Sequence, residues 1–356
     1  MKIIYSFNKV GFEADYWQRE IAAASNEFCE FIPFNHNDYL NPVLYSRAQL
    51  LDNLYYEKHP GLLRMYADVT SLIARTRADA LIVDNCFPYH PEFLKGLDIY
   101  KVLRTTDGPL KAYDRDFAYL HAYDHVLFHS PAYSRDLTMA EKLKYCGAKR
   151  FDFLPLGSFS ALRDSSLSAE MVSSVQRDID IIFIGAFHLN KMPMLAKIKK
   201  AFGRRFKAYG LINLKKNVYF NLKYGFPGWI RPVPFEMYVP LYKRSKIGIN
   251  IHNRGDYTVG SYRLFDLPAN RVLQLSDGGV YLESFFKIGY EIDAYNSCDE
   301  LIQKIDFYLS NESEREKIAV AGYKRTIAEY SIGVLLKKAA EIIYSGIAGS
   351  QKHNGL

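Results

Sequence analysis

Residues 178–210 read DIDIIFIGAFHLNKMPMLAKIKKAFGRRFKAYG, and this stretch decides the fold. Asp178 to Gly185 form a short Ile-rich run closed by a glycine, the pattern of a buried strand. A basic helical segment follows near 192–204, and FKAYG at 206–210 supplies a second strand. Strand, helix and strand in that order make one parallel crossover unit. The alternation continues through KIGINIH at 246–252, RVLQLSD at 271–277 and GYEIDAY at 289–295. Upstream, Lys2–Phe7, Phe28–Phe34, Ala80–Asp84, Tyr100–Arg104, His125–His129 and Arg150–Leu154 read as strands. The stretches between them, such as GLLRMYADVTSLIARTRA, are long enough for helices, so the class is α/β.

Two Rossmann-like domains are therefore expected in one chain. The polar, Ser-rich GSFSALRDSSLSAEMVSS after Leu156 reads as their connection. The expected divisions are 1–160, 175–330 and a C-terminal helix at 331–348. Ser297 with Glu300, and Asn311 with Glu314, carry the spacing of helix starts. Ser331 opens a last helix in which Leu335, Leu336, Ala339, Ile342 and Ile343 form one apolar stripe. GSQKHNGL should be a frayed tail.

Of 356 residues, 49% are apolar and 24% charged, which excludes a disordered or low-complexity chain. Cys29, Cys86, Cys146 and Cys298 lie far apart without CxxC spacing, so neither a zinc knuckle nor a disulfide framework is expected. No run reaches membrane-spanning length, and MKIIYSFNKV lacks the features of an export signal. A cytoplasmic location is expected, with peripheral contact at the inner face of the membrane as a further option. The net charge of +7 is modest, but residues 197–224 hold nine Lys or Arg and no acid, interleaved with Phe and Tyr. This tract reads either as a surface meeting phosphates or anionic lipid, or as a solvated helix face with its loop.

Ligands of open parallel sheets bind beyond the carboxyl ends of the strands. Gly185 allows close backbone approach there, and Lys191 can reach a phosphate. Further on, Ser261 is expected to cap a short helix from Tyr262 to Leu267 with Arg263 in its first turn. A cation in that place opposes the helix dipole at a cost of a few tenths of a kcal/mol, unless an anion binds there. An internal pair of Arg263 with Asp266 is the other reading. Asp15, Asp84 and Asp107 are expected at strand ends of the first domain, where a general base could meet an acceptor hydroxyl; they equally suit helix caps. His36, His90 and His129 lack ligand spacing, and DRD at 114–116 reads as helix surface.

Residues 178–330 resemble the nucleotide-sugar-binding half of GT-B glycosyltransferases, in particular the CgeB-like (spore maturation protein) branch, whose pattern is I-x-L-N, a loop, then R-x-F-E-x-x-A-C-G. Here the pattern appears as Ile247-Gly248-Ile249-Asn250, a twelve-residue loop, then Arg263-Leu264-Phe265-Asp266-Leu267-Pro268-Ala269-Asn270. Phe285, Phe286, Gly289 and the text that follows them continue it. The resemblance implies two domains facing a cleft and a C-terminal helix crossing back to the first. It implies transfer of a sugar from a nucleoside diphosphate sugar to a glycan, lipid-linked or protein acceptor, with no cofactor and no metal. Donor-binding residues would be Gly185, Lys191, Tyr209, Asn250, Ser261, Tyr262, Arg263 and Asp266. Tyr209 and Gly210 occupy the place of a base-stacking wall, with Trp229 and Phe235 as further aromatic candidates. Catalytic candidates are Asp107, which matches the family's Asp-Asp-Pro phrase best, and then Asp15. Three positions depart from the pattern: Asp266 replaces a ribose-binding Glu, Asn270 replaces a glycine at a turn that takes positive φ, and Thr258 stands where retaining relatives have Glu. The first departure keeps a catalytically idle sugar-nucleotide-binding protein open as a reading, and the basic tract keeps a nucleic-acid-modifying transferase open.

Overall fold

The apolar runs become strands because both faces of a parallel sheet are covered by helices, so the side chains of the inner strands are mostly buried while those of the edge strands are largely half-exposed. The computed structural model describes residues 1–353 except 46, 86–87, 107–112, 135, 168–176, 211, 253–259 and 280. The chain divides into two units, Met1–Leu156 with Ile332–Leu356, and Gly157–Ser331.

In the first unit the strands are β1 (Lys2–Phe7), β2 (Glu30–Asn35), β3 (Ala80–Asp84), β4 (Tyr100–Arg104), β5 (His125–Phe128) and β6 (Phe151–Phe153). Helices α1 (Gly11–Ala23), α2 (Ala48–Tyr56), α3 (Pro60–Thr76), α4 (Pro91–Lys95), α5 (Tyr113–Tyr119) and α6 (Met139–Tyr145) connect them. The sheet is parallel in the order β2-β1-β3-β4-β5-β6, so the chain leaves β1 in one direction and returns to β3 on its other side.

The second unit holds β7 (Ile179–Ile184), α7 (Met192–Phe202), β8 (Phe206–Tyr209), α8 (Leu214–Tyr224), α9 (Tyr238–Lys243), β9 (Ser245–Asn250), α10 (Arg263–Ala269), β10 (Leu273–Asp277), β11 (Asp293–Tyr295), α11 (Cys298–Ser310) and α12 (Glu312–Glu329). Its parallel order is β11-β10-β9-β7-β8. The strand order reverses between β7 and β9, which opens a crevice at their carboxyl ends. Ile181, Phe183, Ile247, Ile249, Leu273 and Leu275 are fully buried in its core. Helix α10 lies close over β9 because Gly248 has no side chain; a Cβ there would sit 2.4 Å from Leu267.

The last helix, α13 (Ile332–His353), belongs to the first unit and packs on α1 and β5. Leu335, Leu336, Ala339 and Ile343 are buried there, whereas Ile342 is half-buried. The helix continues through 349–353, so that part of the expected frayed tail is helical.

Several local expectations are corrected. The Ser-rich segment is no free connection over 157–167: Ser158, Phe159, Leu162 and Asp164 are buried within the second unit. Asn270 holds that segment, its amide donating to Leu162 O (2.8 Å) and its Oδ1 accepting from Asp164 N (2.9 Å). A third bond runs from the amide to Asp266 O (2.8 Å). Positive φ falls on Arg271 (53°), while Asn270 has φ −104°, so Asn270 serves through its side chain and not its backbone freedom. Ser297 caps α11 as expected, but Asn311 turns its amide back onto Phe307 O and leaves α12 without a side-chain cap. Ser331 likewise bonds back to Ile327 O. Asp116 of the DRD text is buried at 1% exposure, because α5 turns it inward from the helix surface.

Replacing Asn270 with Ala strands buried partners on three backbone groups. Urea unfolding should show a loss of about 2–4 kcal/mol; a change within experimental error would show that the 157–167 segment is not held this way.

Candidate functional site

The crevice between β7 and β9 is occupied by one side chain. Arg263, the first residue of α10, reaches across it, donating from Nε to Ile184 O at the end of β7 (2.7 Å) and from Nη1 to Asn250 Oδ1 at the end of β9 (3.1 Å). Its guanidinium lies 4.8 Å from the Phe183 ring centroid. Gly185 makes room for it, since a Cβ there would fall 1.8 Å from Nη2. The alternative reading, an Arg263 to Asp266 ion pair, does not form: the guanidinium is drawn to two strand ends instead.

Asn250 is fully buried and binds on several sides. Besides Arg263, its Oδ1 accepts from Ser261 Oγ (3.5 Å), its amide donates to Ser276 Oγ (3.4 Å), and its carbonyl accepts from Tyr295 OH (3.0 Å). Ser261 is therefore not the expected cap. Tyr262 stands in the N-cap position without a side-chain cap bond, and the first main-chain bonds of α10 run to Ser261 O and Tyr262 O.

Lys191 occupies the N-cap position of α7 and is buried at 3% exposure. Its ammonium lies 5.9 Å from the same Phe183 ring and has no ion pair or hydrogen bond among the described residues. Burial, and then the neighbouring Arg263 charge, lower its pKa to about 7, with Asp277 opposing them. Two cations thus lie against one aromatic ring, and among the described residues no carboxylate pairs with either. Such an arrangement is costly by itself and suits a dianion.

Asp266 is buried in α10, and its Oδ1 has no hydrogen-bond partner among the described residues. Burial pushes its pKa up to about 7 against the pull of Ser158 and Arg263. Tyr209 ends β8, half-buried, with its carbonyl accepting from Gly185 N (3.0 Å). Gly210 beside it is required by close approach, because a Cβ would meet Gly185 O at 2.1 Å and the Phe187 ring at 2.6 Å. Trp229 is exposed, and Phe235 stacks on Tyr238 at 4.7 Å.

One pair escaped the sequence reading. His252, two residues past Asn250, is buried, and its Nδ1 lies 2.6 Å from Asp277 Oδ1 at the end of β10. The other Asp277 oxygen accepts from His252 N (2.8 Å). The imidazole Nε2 has no partner among the described residues. The available signal was positional, since both residues end strands that flank the crevice.

In the first unit Asp107 lies outside the described residues, as does Thr258 in the second. Asp15 is not at a strand end; it is exposed on the second turn of α1. Asp84 does end β3, buried, and accepts from Thr106 Oγ1 (2.5 Å). A cavity of about 620 Å³ opens beyond β1 and β2, lined by Asn8, Lys9, Glu13, Asn37, Asp38 and Tyr39 among others. The three histidines are structural. Burial lowers His36 to about 3 and His129 to about 4, and His90 stacks on Tyr55 at 3.9 Å while facing Asp52.

Asp266 carries a pH signature that needs no ligand. A carboxyl raised from its ordinary range to about 7 keeps its proton in the fold where the unfolded chain has lost it, so its contribution to stability falls as pH rises from about 4 to 7. Asp266→Asn should therefore raise the thermal midpoint more at pH 8 than at pH 5, the difference amounting to up to roughly 3 kcal/mol of stability. An equal effect at both pH values would contradict the burial.

Residues 191–338, less than half of the chain, match the family model described as Glycosyl transferase-like. No curated protein matches the chain in sequence. Among solved structures it is similar to sucrose-phosphate synthase from Thermosynechococcus elongatus, at 10% identity and a TM-score of 0.64 over 98% of this chain and 99% of that one. The Anabaena protein HepE, solved in complex with UDP-glucose, is 12% identical with a TM-score of 0.62 over 97% and 100%. A putative UDP-N-acetylglucosamine 2-epimerase from Listeria monocytogenes is 13% identical with a TM-score of 0.55 over 99% and 97%. The two parallel α/β units are those of the GT-B glycosyltransferase fold.

Proposed function

We propose that the protein transfers a sugar from a nucleoside diphosphate sugar to an acceptor, with the diphosphate held at the crevice between β7 and β9. The observation that carries this reading is the pair Arg263 and Lys191, two cations over one Phe183 ring without a carboxylate of their own. Negative charge grows on the diphosphate as the glycosidic bond breaks, and preformed donors aimed at it lower the barrier. The Arg263 fork and the Lys191 ammonium supply those donors, in place of a divalent metal. Asp266, with its unpartnered oxygen, takes a ribose hydroxyl. Nε2 of His252 adds a further polar contact, oriented by Asp277. The resemblance to the CgeB-like branch supports the same assignment of Asn250, Arg263 and Asp266.

The acceptor is assigned to the first unit, at the cavity beyond β1 and β2, and is a glycan, a lipid-linked sugar or a protein. Glu13 lines that cavity and joins Asp107 and Asp84 as a candidate base. A second reading has one observation in its favour: the Asp at 266 is one methylene shorter than Glu, which suits a protein that binds a sugar nucleotide without turning it over. Release of free nucleoside diphosphate on adding donor and acceptor distinguishes the two.

Turnover followed by nucleotide release should fall at least tenfold in Arg263→Lys, because an ammonium cannot replace the two-pronged contact. Gly185→Ala should weaken donor binding comparably by displacing the guanidinium. Unchanged kinetics in both would refute the site.

Donor affinity should also depend on pH. The diphosphate binds the protonated Lys191, so affinity holds below about pH 7 and falls as pH rises above it. Calorimetric titration of nucleoside diphosphate should show this fall in the parent and lose it in Lys191→Met. A parent affinity that is flat from pH 6.5 to 8.5 would exclude a phosphate contact from Lys191.

A further inference from the structure

Helix α8 turns toward solvent a face that the described chain leaves uncovered. Leu214, Val218 and Leu222, spaced at i, i+4 and i+8, form one row at 69%, 43% and 82% exposure. Its opposite face is buried through Asn217 and Phe220.

Asn217 does more than fill that face. Its amide donates to Ile230 O (3.1 Å) and its Oδ1 accepts from Ile230 N (3.0 Å), while Asn221 donates to Gly228 O (3.1 Å). These bonds tie the turn carrying Trp229 to α8 on the side where the aliphatic row begins. Trp229 on that turn is 57% exposed, and it lines a hollow with Lys199, Lys207 and Tyr209.

The charge around this face has one sign. From residue 181 to 235 the sequence contains no acid, and eleven Lys or Arg fall between Lys191 and Arg231. The structure divides that tract, because Lys197 pairs with Asp299 and Arg205 with Asp180, both acids from outside it. On α8, the ammonium groups of Lys215 and Lys216 have no ion pair or hydrogen bond among the described residues, whereas the Lys216 backbone N–H donates to Asn213 Oδ1 (2.9 Å). Lys223 donates to Tyr219 OH (2.6 Å) at the other end of the helix.

We infer that this face of the second unit docks on the surface of an anionic phospholipid bilayer, with the aliphatic row and Trp229 entering the headgroup boundary and the lysines meeting lipid phosphates. A helix with an exposed aliphatic row flanked by Lys, next to a turn that exposes an indole, fits such an interface. A single-stranded nucleic acid would call for aromatic platforms to stack its bases, and the exposed row is aliphatic. The inference goes beyond sugar transfer and does not depend on it.

The chain has two tryptophans, and Trp17 is buried at 2% exposure, so Trp229 is the reporter. The full chain is mixed at low salt with vesicles of phosphatidylcholine alone, or of equal parts phosphatidylcholine and phosphatidylglycerol. Flotation and a blue shift of tryptophan emission are expected with the anionic vesicles only. Leu222→Asp and Lys215→Glu should each weaken flotation at least roughly tenfold, with thermal midpoint and nucleotide affinity unchanged. Four outcomes overturn the inference: no flotation of the parent, flotation without an emission shift, full flotation by Leu222→Asp, or capture of single-stranded RNA in place of vesicles.

Discussion

The second unit is organised around a guanidinium placed where its sheet reverses direction. Two adjacent parallel strands whose connections leave in opposite directions must part at their carboxyl ends, and the gap exposes main-chain carbonyls and helix starts. Arg263 fills that gap from the side, bonded to Ile184 O on one strand and Asn250 on the other. Each neighbour follows from this. Residue 185 must be glycine, Asn250 must present its oxygen and not its amide, and α10 must lie close over Gly248 to bring its first residue into reach. Arg263 keeps its charge there, and Lys191, 5.9 Å from the same ring and lowered to about 7, holds its proton more firmly when something negative is near.

The cost of that arrangement is met elsewhere in the unit. Asp266 cannot serve as counter-ion, because it is itself buried and shifted to about 7. The 157–167 segment covers α10 and is pinned by Asn270, which lets a seven-residue helix stay ordered while holding a buried acid. Asp277 is engaged by His252, leaving Lys191 without a direct partner. Local instability concentrated at one set of strand ends, inside a well-packed core, is how a binding site differs from a structural ion-pair network.

The strands of both sheets were legible because each is a short apolar run between polar segments, and burial on both faces leaves little ambiguity. The place of Arg263 was legible as well, through a cation written at a helix start where a dipole disfavours it. What failed depended on side chains meeting across long separations. Nothing local says that Asn270 would spend its amide on Leu162 O, more than a hundred residues earlier, and so convert an expected linker into core. His252 and Asp277 lie 25 residues apart and meet only because β9 and β10 are neighbours. Asp15 was misplaced by a turn because α1 begins at Gly11, sooner after β1 than the polar text suggested. The basic tract was legible as a charge anomaly, but its division by Asp180 and Asp299 required the fold. Sequence comparison adds the class, since the fold itself is shared with a putative epimerase as well as with transferases.

The central claim is that the guanidinium at the strand reversal is a diphosphate receptor. The most direct measurement is a crystal structure of the full chain with a nucleoside diphosphate. The account predicts phosphate oxygens within hydrogen-bond distance, about 3 Å, of Arg263 Nη2 and of Lys191 Nζ, with the Arg263 bonds to Ile184 O and Asn250 retained. A nucleotide bound away from the ends of β7 and β9, or one that leaves both cations facing water, would contradict it.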